Sequence, residues 1–229
     1  MSNILPILFL LLICSCRPPS YYPSQQIPPR LAKQGNVQAS LGLGSGLEYT
    51  YHLAVSPINH LGIYIGNQRI LPKYTDYKHK LTEGGVGYYL FTSSGNYWSL
   101  YASYGFGSVD AKNSNRYVEN SFDRYSFTVM NSPKLGGKYI TTALRCDYNK
   151  MYKYSRYHII DGVKTYTATG KRNRFLIGPM LGTTFTGPTS IFQTQIGCSA
   201  SIENTSIGKW ISAVYVYASA AVVLDFNFR

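Results

Sequence analysis

Catalysis in this chain would have to be built from few titratable side chains. Its 229 residues hold 10 carboxylates and 4 histidines against 22 lysines and arginines, a formal net charge of +12. Asp76 and His79 fall close together, as do His158 and Asp161. A histidine beside a carboxylate can act as a base with its orienting group. With so few such residues spread over so many segments, chance alone brings pairs together. No G-x-S-x-G, H-E-x-x-H or phosphate-loop pattern accompanies them. We therefore expect no catalytic residues and no enzyme. The cysteines, at positions 14, 16, 146 and 198, show no C-x-x-C or Cys/His ligand spacing, so no metal and no other cofactor is expected.

A second set of polar residues recurs within apolar alternation: Glu48, His52, Arg145, Asp147, Gln193, Gln195 and Glu203. Side chains of these types, enclosed together, would pair with one another. Glu48 with Arg145, or Arg145 with a glutamine, would neutralise and fill an interior. A different use of the same residues is a polar path or binding site for a small solute.

The elements that position them have a period of two rather than 3.6. Val37, Ala39, Leu41 and Leu43 alternate with Gln38, Ser40 and Gly42, and Tyr49, Tyr51, Leu53 and Val55 with Thr50, His52 and Ala54. Trp98, Leu100, Ala102, Tyr104 and Phe106 form another such face, and so do Val214, Val216, Val222 and Leu224. The pattern predicts strands at about 36–44, 46–56, 61–71, 80–93, 96–110, 121–132, 138–153, 171–186, 189–203 and 210–228. Cys146 and Cys198 fall on the apolar faces of strands that are not neighbours, so they are expected as unbridged thiols.

Short turns rich in Pro, Gly, Asn and Ser alternate with longer connections. The short ones lie at Pro57 to His60, Ser94-Gly95, Pro133 to Gly137 and Gly187-Pro188. The long ones are 72–79, 111–120, 154–170 and 204–209, and Ser45 is the exception between the first two strands. This alternation, with strands long enough to cross a bilayer, points to an all-β fold: a closed antiparallel up-and-down transmembrane β-barrel of about ten strands. Closure is required because an open edge in hydrocarbon would leave N–H and C=O groups unpaired. Trp98, Phe226 and Phe228 are expected near one rim and Trp210 near the other. The competing soluble reading is a periplasmic β-sandwich or lipocalin-like fold, with the apolar faces turned inward.

The composition excludes several other classes. An aromatic content of 15% with 14% charged residues argues against disorder. No G-X-Y period, heptad run or apolar stretch of about 20 residues is present, which removes collagen, coiled coil and a bundle of membrane helices.

Residues 4–13 form a short apolar run, too short for a spanning helix but suited to a signal peptide. It ends in Leu12-Ile13-Cys14-Ser15-Cys16. A small residue before Cys16 resembles a bacterial lipobox, which implies a signal peptide over 1–15 and a lipid-bearing Cys16. Residues 16–35 carry five prolines and read as an extended tether to a barrel over 36–229. An anchor at the inner leaflet puts the short turns and both termini in the periplasm of a Gram-negative cell.

From Gln34 the text QGNVQASLGLGSGLEYTYHLAVSPINHLGIYIG resembles the start of small outer-membrane β-barrel lipoproteins of the Bacteroidota type. Glu83-Gly84-Gly85-Val86-Gly87-Tyr88-Tyr89 and Tyr101-Ala102-Ser103-Tyr104-Gly105-Phe106-Gly107 fit the same habit. The resemblance implies a structural or envelope-interaction role and carries over no functional residues. The chain departs from it at the end, where Arg229 follows Phe228. Among the basic residues, Lys164, Lys171, Arg172 and Arg174 are the expected contacts for an anionic glycolipid beside the membrane lipid. Nucleic acid is not an expected partner, since no module for it is present.

Overall fold

Alternation of period two turns successive side chains to opposite faces of a sheet, and one apolar face is what a strand needs in order to meet either a core or a lipid. The computed structural model describes residues 29–44, 48–70, 77–113, 116–136, 138–186, 190–205 and 208–227. The strands are β1 (Asn36–Gly44), β2 (Glu48–Ile58), β3 (Leu61–Ile70), β4 (Tyr77–Phe91), β5 (Tyr97–Asn113), β6 (Arg116–Ser132), β7 (Lys134–Leu135), β8 (Lys138–Ile160), β9 (Val163–Thr186), β10 (Ser190–Thr205) and β11 (Gly208–Asn227). β7 is a two-residue ladder within a turn. The ten long strands pair antiparallel with their neighbours, β6 joins β8, and β1 joins β11 from Asn36↔Asn227 to Gly44↔Ser219. The sheet therefore closes into a ten-stranded barrel. One rim carries the start of β1, the end of β11, the turns around His60, Gly95 and Gly136 and the junction from β9 to β10; we call it the terminal rim. The opposite, far rim carries the other connections.

The apolar faces point outward. One hydrogen-bonded ladder runs Val55, Ile63, Val86, Ala102, Phe127, Cys146, Ile177 and Ala200 around most of the wall. Leu41 and Leu43 are each 62% exposed and Ile65 57%. That exposure excludes the soluble sandwich or lipocalin-like reading, in which these residues would fill the interior. Tyr104, Tyr125, Tyr148 and Phe175 stand side by side at one level. Trp98, Phe185, Phe192 and Phe226 crowd the outward face towards the terminal rim. On β5 the outward run from Trp98 to Phe106 is about 20 Å tall, at ~3.3 Å per residue and ~40° of tilt. The architecture is that of a membrane-spanning β-barrel: a closed wall, an apolar belt and aromatic borders. Val222 and Leu224 face outward as expected, while Val214, Val216 and Trp210 have side chains outside the described set, and Phe228 lies outside the described residues. Cys146 and Cys198 are free thiols on this outer face.

Inward glycines let aromatic rings of adjoining strands lie flat against the wall. A Cβ on Gly87 would stand 2.4 Å from both the Leu100 carbonyl oxygen and Cδ1 of Tyr101, and one on Gly85 would stand 2.4 Å from Cε1 of Tyr64. The glycine–aromatic alternation of the sequence is thus a packing device of the lumen.

Two of the expected long loops are strands. Residues 111–113 and 116–120 continue β5 and β6, and most of 154–170 continues β8 and β9. Asp161 (φ 50°) and Gly162 (φ 78°) make the β8–β9 turn, with the positive φ at both central residues that a type I′ hairpin needs. The connection at 204–209 shrinks likewise, because β10 runs to Thr205 and β11 starts at Gly208. Beyond the aromatic border no lipid selects for an apolar face, so these extensions lose the alternation by which strands were recognised. The turns near Ser45 and at Gly187-Pro188 lie outside the described residues.

The residues just before β1 are held against the barrel. Gly35 donates its N–H to the Ser56 carbonyl (2.8 Å) and Gln34 to Asn59 Oδ1 (3.0 Å), fixing the chain at the terminal rim. Upstream of these contacts the chain turns into the barrel, and Leu31 is fully buried. Signal peptide, lipidation site and residues 1–28 generally lie outside the described residues.

Candidate functional site

The lumen is filled in three layers. Nearest the terminal rim, Leu31, Tyr64, Tyr89, Tyr97, Tyr101, Met130 and Tyr217 cluster. Towards the far rim, Leu81, Val109, Val118, Phe122, Met151, Tyr154 and Leu176 form a second apolar cluster. Between them sits a charged layer centred on Glu83.

Glu83 (β4) is wholly buried and accepts from two arginines. Arg124 (β6) reaches it through Nη2, and Arg145 Nη2 (β8) lies 2.7 Å away. The Tyr64 hydroxyl donates to its other oxygen at 2.7 Å. Arg145 also donates from Nε to Asp147 at 2.8 Å and from Nη2 to Ser126 Oγ at 2.8 Å. Two guanidinium groups thus face two carboxylates in a site removed from bulk water, the condition under which each needs the other. Strand register brings them together: Glu83↔Gly105, Gly105↔Arg124, Arg124↔Asn149 and Asn149↔Arg174 form one inward ladder.

Of the seven residues expected in a lumen network, Arg145 and Asp147 stand in this charged layer. Arg145 is drawn to Glu83 and Asp147 rather than to Glu48, because Glu48 lies on another wall and accepts from Gln68 Nε2. His52 stacks on Tyr64, with ring centroids 6.1 Å apart. Gln195 Nε2 donates to Ser219 Oγ at 2.5 Å. Gln193, with Pro29, Gln38, Ser40 and His52, lines a cavity of about 20 Å³, room for about one water. Glu203 lies in β10, but its side chain is outside the described set. The sequence reading missed Glu83 and Arg124. Glu83 sits beside Gly84 and Gly85, which blur its face. Arg124 was legible in principle, since outward Phe127 and Val129 put residues 124, 126 and 128 on the inner face.

Both histidines of the expected pairs lie in strands, His79 in β4 and His158 in β8. His79 points into the barrel, 3% exposed, with its ring parallel to Phe122 at 6.3 Å. Its expected partner Asp76 lies outside the described residues. His158 is a strand residue facing Thr165, and Asp161 occupies the tight turn. Among the described residues, no group of three or more His, Cys, Asp or Glu side chains gathers as a metal site.

The basic set divides. Arg174 is turned inward, 6% exposed, and donates to the Tyr215 hydroxyl at 3.4 Å, so it is not available to an external lipid. Arg172 lies over the Tyr154 ring at 4.4 Å, on the same inward parity. Lys171 is exposed. Lys164 sits near the hairpin tip, its Nζ 4.7 Å from the centre of the Tyr157 ring. On this projecting hairpin the Tyr157 hydroxyl donates to Glu119 at 2.6 Å, and that bond to a carboxylate pushes the phenol up to about 12. Beside it an open cleft of about 500 Å³ is lined by Asp110, Glu119, Lys153, Tyr154 and several serines.

No protein-family model and no curated protein matches the chain. Solved structures are similar to it at low identity. The translocator domain of the autotransporter NalP from Neisseria meningitidis matches with a TM-score of 0.45 at 10% identity, over 84% of this chain and 87% of that one. The KdgM porin in complex with disordered oligogalacturonate gives 0.33 at 11% identity, over 85% and 99%. OmpT, an outer membrane protein of Vibrio cholerae, gives 0.20 at 7% identity, over 84% and 96%.

Proposed function

We propose that this chain is an outer-membrane β-barrel, anchored by lipid at Cys16, with a closed lumen and a structural or envelope-interaction role. The observation that carries the reading is the pairing of an apolar outer belt with an interior filled by two apolar clusters around the ion-paired Glu83, Arg124, Arg145 and Asp147. A barrel wall of this kind is the form in which antiparallel strands cross an outer membrane. The rim with short turns and both chain ends is then periplasmic, and the long β8–β9 hairpin projects outside the cell, as longer outer connections do. The narrow-pore alternative is disfavoured by the lumen itself, where the Glu83 layer lies between two apolar clusters.

The envelope partner we favour is an anionic glycolipid, held by lysines just beyond the far aromatic row. Lys150 follows Tyr148 on the outward face, and exposed Lys171 stands nearby on β9. Arg174 leaves the expected set, because it is buried in the lumen, while Arg172 is exposed and lies over the Tyr154 ring. Lys164 stands about 20 Å of strand beyond Lys171, beyond the level of a headgroup phosphate. Each surface lysine at an anionic leaflet contributes about 1 kcal/mol. Replacing Lys150 and Lys171 together by glutamine is therefore expected to weaken binding to lipid A vesicles by roughly 10- to 30-fold. Binding to neutral phosphatidylcholine vesicles should stay unchanged. Equal lipid A binding by variant and parent would remove the proposed contact.

A further inference from the structure

The last residues before β1 occupy the lumen as a ligand would. The Pro29 carbonyl accepts from two phenols, Tyr97 at 3.1 Å and Tyr101 at 3.4 Å. Gln38 holds the backbone of Arg30 from both sides: its Oε1 accepts the Arg30 N–H at 3.1 Å, and its Nε2 donates to the Arg30 carbonyl at 2.7 Å. Ala32 N–H donates to Asn36 Oδ1 at 2.9 Å. Leu31 fills the space beneath Gly62, where a Cβ would stand 2.8 Å from its Cδ1.

Arg30 is 8% exposed. Its guanidinium carbon lies 3.1 Å from the centre of the Tyr139 ring, 5.5 Å from Tyr97 and 5.7 Å from Phe91. Its Nε and Nη1 have no hydrogen-bond partner among the described residues. A buried cation surrounded by ring faces is held by the quadrupole of the rings more than by a carboxylate. Side-chain amide bonds to backbone, phenols on a proline carbonyl and rings around a cation are how extended peptides are bound in aromatic grooves. They are not the ladder that holds the rest of the chain together.

We propose that the terminal mouth of the barrel is a peptide-binding site, specific for an extended Pro-Arg-Leu segment, whose resident ligand is Pro29–Leu31 of the same chain. Gln38 reads the backbone, Tyr97 and Tyr101 read the proline carbonyl, and the box of Tyr139, Tyr97 and Phe91 reads the guanidinium. Seated there, the segment closes the mouth and ties whatever precedes it to the barrel wall. As a ligand rather than a strand it opens and closes while the barrel remains folded. The site stands on the mouth geometry alone and does not depend on lipidation or on glycolipid contact.

Hydrogen exchange on the full chain in detergent micelles tests this without altering the protein. Amides of Arg30 and Ala32 should exchange on the order of 100-fold more slowly than in an unstructured peptide, since both are bonded. A free peptide acetyl-Pro-Pro-Arg-Leu-Ala-Lys-amide captures the mouth whenever the resident segment leaves. By mass action it should speed exchange at these amides by about 5-fold or more at several millimolar. The same peptide with alanine for arginine should have no effect. In the full chain, Arg30→Ala and Tyr139→Ala should each raise exchange at 30–32 while leaving that of β4 to β6 unchanged. Unprotected amides at 30 and 32 would overturn the proposal. So would exchange indifferent to the arginine peptide, which would make the segment fixed packing.

Discussion

Glu83→Gln is expected to destabilise the folded barrel by about 3 kcal/mol or more, the cost of leaving a buried charge without its partner. The substitution keeps the volume of the side chain and removes only the charge. Arg124 and Arg145 both point at the Glu83 carboxylate from buried positions. Arg145 retains Asp147 at 2.8 Å, whereas Arg124 loses the carboxylate it is bonded to. Adding Arg124→Met to Glu83→Gln should therefore recover part of the loss, because an apolar side chain of similar length needs no counter-charge. The measurement is the urea midpoint of refolded protein in lipid vesicles, followed by the heat-modifiable shift in gel mobility. Equal stability of Glu83→Gln and the parent would mean that the arginines reach water, and the lumen would then not be closed.

The second large effect concerns the outside of the wall. Leu144 is 44% exposed on β8, between Leu100 and Val129 on one side and Pro179 on the other. Leu144→Arg is expected to cost about 2–4 kcal/mol in a bilayer, the range for arginine at the midplane of a barrel's lipid face. At an exposed site of a water-soluble protein the same change would fall within about 0.5 kcal/mol. Lys150 is six residues further along the strand and already bears a charge beyond the aromatic row. Lys150→Arg should thus change stability little, and the contrast between the two positions reads the edge of the belt.

Much of this architecture was legible because lipid imposes a rule on alternate residues. Within the belt, Trp98 to Phe106 on β5 and Leu41 and Leu43 on β1 fall on one face of their strands, and the alternation of short and long connections assigns that face to lipid. The rule stops at the aromatic row, and the reading failed there. β8 and β9 run on to Ile160 and Val163 although their extensions carry no continuous apolar face. A purely local signal, Asp161-Gly162, marked the hairpin tip and was overlooked in favour of a loop. The lumen was legible in type but not in partners. Arg145 and Asp147 are two apart on one strand and fall on the same inner face by parity. Which acid meets Arg145 depends on barrel closure and register, and that brings Glu83 from β4 to β8 across 62 residues of sequence. The mouth site lay hidden for another reason. Prolines before β1 forbid a ladder, and nothing local shows whether such a segment hangs free or turns back into the barrel.

Cys146 and Cys198 offer the most direct test of the central claim, because both are native thiols on the outer wall within the apolar belt. The full chain is reconstituted in phosphatidylcholine vesicles and treated with a charged, water-soluble maleimide or with an uncharged, lipid-soluble one, and each cysteine is read separately by peptide mass. A wall that faces hydrocarbon predicts that neither thiol reacts with either reagent in the folded state, because the reactive thiolate does not form in lipid, and that both react with both reagents once urea unfolds the protein. Rapid labelling of Cys146 and Cys198 by the charged reagent in folded, vesicle-bound protein would contradict a membrane-spanning barrel.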